Sequence, residues 1–583
     1  MRGSTQSDFA AAPRPCAHFT PETSADSSRT CLKKTFHQKR LKPARNALIP
    51  LNDTPKRVYE TSAERTPSRS TFSLVQHCQR DQRQSSDEQN QHQCHPHLHC
   101  LGGVSNRPDH AARNTRQGLA RLHSFAFHWQ NLGNRTNLRL NSPNPLPPPR
   151  YTSTMHRRSF LGTSLLAPAL FTRLSEAVQG LELISTHEHL LSEEERYESR
   201  PDFFVLADHY ALNDLVSAGL PADDLPRLRD RNRSGVERWR LFAPWWRHAR
   251  FTGYGQALRI AIRDIYGIEE VSEANIDRLN AAIAAANKPG LYEDILKRRM
   301  KLRYGVLDDY WRGEPVRPDP RFFRLARKFD WFCTPANVAA LKRMEEVTGV
   351  SITTLDGLIR ALERRFAQSL EAGLTAVKST IAYQRELFFA DPSKQEASAA
   401  FDAVARGDNT SRRQLEDYMF RQVLRLAEAH NLPFQIHTGI QAGNSNVIAN
   451  TRPMLVANLL RDYPQVRFDL FHAGWPWPNE VMAMAKMFPN AYADFCWTHI
   501  LSPASARQAL DEMIGAVPAN KILGFGGDYR HVELTYAHSV IARDNIARVL
   551  AARVEAKELT EDEALGLARA FLHDNPAALF GRP

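Results

Sequence analysis

Two histidines, His187 and His189, flank Glu188 directly after the apolar run 181–186. Residues two apart on a strand point to the same side, so both imidazoles are aimed at one place. Neutral imidazole is a ligand for Zn, Mn, Fe or Ni, which makes the pair half of a divalent-metal site. His437 and His472 end apolar runs of their own, F-Q-I-H and V-R-F-D-L-F-H, and Asp528 follows I-L-G-F-G-G. Five candidate ligands or acid/base groups therefore stand at the ends of separate short apolar segments. A divalent ion with three or four protein ligands leaves a position for water and lowers its pKa from about 15.7 towards about 7, giving hydroxide at neutral pH. Asp528 is suited to take the proton of that water, and His472 to orient the nucleophile or polarise a substrate oxygen. Lys378, Tyr383 and Arg385 offer an ammonium, a hydroxyl and a guanidinium to a carboxylate substrate. Trp475 and Trp477, in the Pro-interrupted loop after His472, are expected either to wall the pocket or to pack in the core.

These groups need a scaffold that gathers strand ends. From residue 181 onward, short apolar runs alternate with longer amphipathic stretches, the pattern of βα repeats around a parallel sheet. The runs ending near Lys378, His437, His472, Asp494 and Asp528 follow one another at steps of 22 to 59 residues, room for a strand, a helix and loops. In a (β/α)8 barrel, catalytic groups come from the C-terminal ends of the strands. The expected fold class is therefore α/β, a (β/α)8 TIM barrel. Between His189 and Lys378 the pattern changes to charged helical segments with Trp239, Trp245 and Trp246, read as a helical insertion over about 210–350 that carries or replaces the second and third strands. The tryptophans are expected to pack that insertion.

The stretches A-V-K-S-T-I-A-Y-Q-R-E-L, Q-I-H-T-G, F-H-A-G-W-P-W-P-N-E and P-A-N-K-I-L-G-F-G-G-D resemble the amidohydrolase superfamily, in its amidohydrolase-related branch and the nodulin-like and glutamine-synthetase-associated subgroup. The resemblance covers residues 181–583. It implies that His187, His189, His437 and Asp528 surround a divalent metal, zinc first and Mn, Fe or Ni as alternatives, with His472 beside the bound water or substrate. Lys378 stands where binuclear relatives place a carbamylated bridging lysine, but its A-Y-x-R flank looks like that of a lysine kept free for substrate, and a single metal follows. The implied activity is hydrolysis of a C–N or C–O bond in a small carboxylate-bearing molecule. A decarboxylase or a uronate-isomerase-like enzyme on the same barrel is the alternative, and an exported binding protein with a structural metal is the third. A homo-oligomer is compatible with all three.

The first 154 residues hold 22 of the 76 basic and 10 of the 64 acidic residues, which leaves 54 of each in the remainder. The positive excess thus lies outside the barrel, and no nucleic-acid partner is expected for it. This leader has no sustained apolar period and is expected to be disordered. Five of the seven cysteines lie in it, and the tract 94–100 matches no zinc-finger spacing. Residues 155–180 open with M-H-R-R-S-F-L-G and resemble a twin-arginine export signal through Arg157, Arg158, Phe160 and Leu161. Its apolar run of about 12 residues is too short to span a bilayer core. The expectations are a functional start at Met155, a periplasmic or cell-envelope location, a weak cleavage point after Ala177, and membrane contact only through an uncleaved signal.

Overall fold

The computed structural model describes residues 166–308, 317–335 and 337–581. The expected leader, Met155, the paired arginines and the cysteine tract lie outside them.

Eight parallel strands follow one another around the sheet in chain order: β1 (Leu183–Glu188), β2 (Leu302–Asp308), β3 (Phe323–Lys328), β4 (Leu374–Ser379), β5 (Phe434–Ile436), β6 (Phe468–Leu470), β7 (Ala491–Asp494) and β8 (Ile522–Leu523). The residues just after β8 return to β1. The Thr186 amide donates to the Phe525 carbonyl (3.0 Å), the Asp528 amide to the His187 carbonyl (3.0 Å) and the His189 amide to the Tyr529 carbonyl (3.1 Å). These bonds close the sheet into a (β/α)8 barrel. The strands are buried on both faces, as parallel strands covered by helices must be. Ile184, Tyr304, Val306, Ala326, Ala376 and Leu523 fill the barrel interior, and a larger apolar layer lies between strands and outer helices.

The outer helices form for local reasons. Leu355–Glu371, which leads into β4, starts at Thr354, whose hydroxyl accepts from the Gly357 amide. It buries Leu355, Leu358, Leu362, Phe366 and Ser369 at helical spacing. The helix Leu166–Gly180 covers the barrel from outside and inserts Leu170, Leu174 and Val178 into the main core, while Phe171 lies under Arg548. The serine, glutamate and alanine ending at Ala177 are inside this helix. Among the described residues, no helix is long and apolar enough to cross a membrane.

The insertion differs from expectation in place. It occupies residues 193–299, between β1 and β2, as seven helices from Glu193–Ser199 to Ile276–Ala286. The second and third strands are both present, and the helices Val338–Thr348 and Leu355–Glu371 are an ordinary crossover from β3 to β4. Strands with charged residues, such as L-R-Y-G-V-L-D and F-R-L-A-R-K, lack the continuous apolar runs that mark β4 to β8, and so read as part of the insertion. Capping boxes at Ser192/Glu195 and Ser234/Glu237 start two insertion helices. Phe203, Phe204, Trp239, Phe242 and Trp246 form an aromatic core there, with ring centroids 5.1–5.9 Å apart. That cluster continues into Phe471, Trp497 and Tyr529 at the barrel mouth, so the tryptophans do pack the insertion onto the barrel.

Leu174 is 2 % exposed within the core. Leu174→Ala should therefore cost about 2–5 kcal/mol of unfolding free energy in denaturant titrations. Glu176→Ala, on the solvent side of the same helix, should stay within about 0.5 kcal/mol of the parent.

Candidate metal centre

Register shifts along β1 between Leu183 and Glu188 turn its C-terminal end. Glu188 faces away from the mouth, where its carboxyl accepts from Ser185 (2.7 Å) and Thr535 (2.9 Å), and burial pushes its pKa up to about 8. A side chain on Gly527 would collide with this carboxyl, so the glycine is what lets the loop after β8 approach β1. His187 and His189 are left facing the mouth, their Nε2 atoms 3.2 Å apart. Asp528 Oδ1 lies 3.6 Å from His187 Nε2 and 3.2 Å from His189 Nε2. On the far side, His472 Nε2 is 3.9 Å from Asp528 Oδ2 and 3.1 Å from His437 Nδ1.

The tautomers follow from the outer hydrogen bonds. His189 Nδ1 donates to the Asp308 carbonyl (3.1 Å), His437 Nε2 to the Ile440 carbonyl (2.9 Å) and His472 Nδ1 to the Cys496 carbonyl (2.9 Å). Each bond leaves the other ring nitrogen as a lone pair facing the centre. Burial, reinforced by Lys378 and neighbouring imidazoles, holds His187, His437 and His472 well below the usual histidine pKa, so they are neutral. Lone pair thus meets lone pair between the neutral rings of His437 and His472. Such an acceptor-to-acceptor contact is unfavourable unless a cation lies beside it. Ligands about 2.0–2.1 Å from one ion and adjacent in its shell are roughly 2.9–3.4 Å apart, close to the separations here. The donor set fits a divalent metal. Donor atoms of His187, His189 and Asp308, and of His472, Cys496 and Asp528, lie within 4.8 Å of one another in two groups.

The expected substrate residues fare differently. Lys378 is buried at the end of β4, with Nζ 3.3 Å from the centre of the Phe471 ring, and burial holds its pKa below the lysine range. Tyr383 lies at the mouth, with its ring 4.8 Å from His437 and its hydroxyl accepting from the Ala442 amide. Arg385 is a correction: its guanidinium is taken up by Glu416 (3.1 Å), Asp417 (2.6 Å) and the Phe388 carbonyl, which ties the loop after β4 to the helix Arg412–Ala429. It braces the scaffold and presents no fork to a ligand. Trp475 is half-buried, its carbonyl accepting from Ile440; the indole that meets the histidines belongs to Trp497, 4.9 Å from His472. His437 reaches Asp528 by way of His472, the reverse of the expected order.

Several site residues were not singled out from sequence. The insertion contributes His209, Tyr210 and Tyr254; Tyr210 donates to the Asp528 carbonyl (2.8 Å) and stacks between Tyr254 and Trp497 at 5.0 and 4.9 Å. Asp308 and Lys328 end β2 and β3, 3.7 Å apart. A polar residue closing a short strand was the available signal for both, hidden once those strands were read as insertion.

Residues 391–582, which hold His437, His472 and Asp528, match the Amidohydrolase family model. Uronate isomerase of Cutibacterium acnes is 24 % identical over 476 residues, covering 74 % of this chain and 99 % of that enzyme. Protein fluG of Emericella nidulans is 27 % identical over 172 residues, and this chain spans only 20 % of its length. The solved structure of glucuronate isomerase from Caulobacter crescentus shares the fold with a TM-score of 0.60 at 19 % identity, over 72 % of this chain and 96 % of that one. The (β/α)8 barrel read from the strand ends is the fold of this chain.

Because an ion bound only by the folded state stabilises it, saturation at about 100 times Kd should add about 2.7 kcal/mol. Stripping the protein with a chelator should lower its Tm, and returning Zn or Mn should restore it. His187→Ala should abolish that response in the same thermal scans.

Proposed function

We propose that this chain is a metal-dependent isomerase of small sugar acids, acting by proton transfer between adjacent carbons. The observation that carries the reading is the similarity to a uronate isomerase over 99 % of that enzyme's length and 74 % of this chain. His187, His189 and Asp528 would hold the ion, with the His437/His472 pair beside it. When bound, the ion polarises a substrate oxygen and favours its ionised form.

The chain's own residues supply the rest. An aldose acid becomes a ketose acid when a proton leaves the carbon bearing the hydroxyl next to the aldehyde and returns to the aldehyde carbon, with the hydroxyl proton moving to the other oxygen. No water is consumed. Asp528 is the acceptor for the hydroxyl proton, and neutral His472 can shuttle a proton through Nε2 because its Nδ1 is fixed on the Cys496 carbonyl. Lys378 anchors the acid group from β4, as a buried cation that a substrate carboxylate would pair. Tyr210, Tyr254 and Trp497 roof the centre and exclude water, which keeps a transferred proton from exchanging.

Hydrolysis is the second reading, supported by the family match over residues 391–582. The two separate cleanly. Metal-loaded protein incubated with hexuronic acids in D2O should convert aldose to ketose by proton NMR, while amides, esters and lactones of the same acids stay intact. Cleavage of one of those bonds without isomerisation of any uronic acid would sink the proposal. Lys378→Ala should raise KM at least tenfold while metal content by elemental analysis is unchanged.

A further inference from the structure

β2 runs Leu302–Asp308, and its inward residues Tyr304 and Val306 belong to the barrel interior. Period-2 alternation places Asp308 next in that series, at the level of the mouth. It is 0 % exposed. Among the described residues, no hydrogen-bond donor reaches either carboxylate oxygen. Its one ion-pair partner there is Lys328 Nζ at 3.7 Å, well beyond the roughly 2.7–2.9 Å of a hydrogen-bonded charge pair. A buried carboxylate held so loosely costs several kcal/mol unless a stronger cation compensates it.

The same residue is tied to the metal centre twice. Its backbone carbonyl accepts from His189 Nδ1 and so aims His189 Nε2 inward, and a side-chain oxygen lies within 4.8 Å of donor nitrogens of both His187 and His189. Ligands on opposite sides of an ion at about 2.1 Å are about 4.2 Å apart, so a carboxylate shift of about half an ångström suffices for shared coordination. Asp308 and Asp528, both buried, are two carboxylates whose charge together matches that of a divalent ion.

We propose that Asp308 is a further ligand of the metal, reaching it from β2 beside His187 and His189 and adding a second carboxylate to that of Asp528. This rests on the metal reading above, and the test separates the two. Full-length protein is loaded with Co(II); its affinity is measured by chelator competition and its visible d–d spectrum recorded. Wild type should take up cobalt. Asp308→Asn should bind it 10- to 100-fold more weakly with a changed spectrum, whereas Lys328→Met, which removes the ammonium beside Asp308 but no proposed ligand atom, should stay within about threefold of wild type in affinity. Should the Asn variant not fold, Asp308→Glu, which keeps the charge but displaces the oxygens by one methylene, should still alter the spectrum. An unchanged spectrum and affinity in the Asp308 variants, or equal losses in Lys328→Met and Asp308→Asn, would overturn the ligand role while leaving the metal centre intact. Failure of wild type to bind cobalt would overturn both.

Discussion

The hydrogen bond from the Asp528 amide to the His187 carbonyl is the contact on which the rest depends. It is part of the seam that closes the barrel, and it also sets the carboxylate of Asp528 against the two histidines of β1 across 341 residues of sequence. Closure and site formation are one event. The seam tolerates no bulk: side-chain carbons at Gly526 and Gly527 would strike Thr186, Cys496 and Glu188. Glu188 fills the space behind the glycines, and its protonated form, favoured by burial, can sit there without a countercharge. His538 donates from Nδ1 to the Gly527 carbonyl and holds the loop from its outer side.

The mouth stores strain that this framework sustains. His472, Ala473, Trp497 and Asp528 all have positive φ, at 48°, 47°, 61° and 57°. For side-chain-bearing residues this conformation costs of order 1–3 kcal/mol each and persists only where surroundings over-determine it. Here they do. His472 is fixed at Nδ1 by the Cys496 carbonyl, Trp497 donates from its amide to the Gly526 carbonyl, and the Asp528 carbonyl accepts from Tyr210. At His472, Trp497 and Asp528 the turn brings a side chain from strand direction towards the centre, which regular strand geometry would not do at successive ends.

Most of the barrel was legible because β1 and β4 to β8 are apolar runs closed by a polar residue, and that pattern survives without any knowledge of the helices between them. β2 and β3 were not legible, since Arg303, Arg324 and Lys328 interrupt their apolar pattern although the strands are largely buried. The insertion was recognised by its tryptophans but misplaced, and with it went Asp308, Tyr210 and Tyr254. Arg385 shows the opposite failure. Its proximity to Lys378 in sequence pointed to substrate, whereas Glu416 and Asp417, a full helix away, had already claimed its donors. Sequence spacing gives candidates for a site; which cations are already neutralised is a property of tertiary packing.

That last distinction bears on how the centre works. The ends of β2, β3 and β4 and the loop after β8 present Asp308, Lys328, Lys378 and Asp528, two acids and two bases of which all but the partly exposed Lys328 are buried. In so buried a setting every charge is felt over a long range, as the lowered pKa values of His187 and His437 beside Lys378 show. A divalent ion near the acids would shift that balance and leave the lysines in excess, drawing in a carboxylate. The same roof that enforces this electrostatic coupling also limits water, so a proton lifted from substrate has few acceptors other than the groups that lifted it. A centre of this kind suits the proton transfer proposed above, in which no water is consumed.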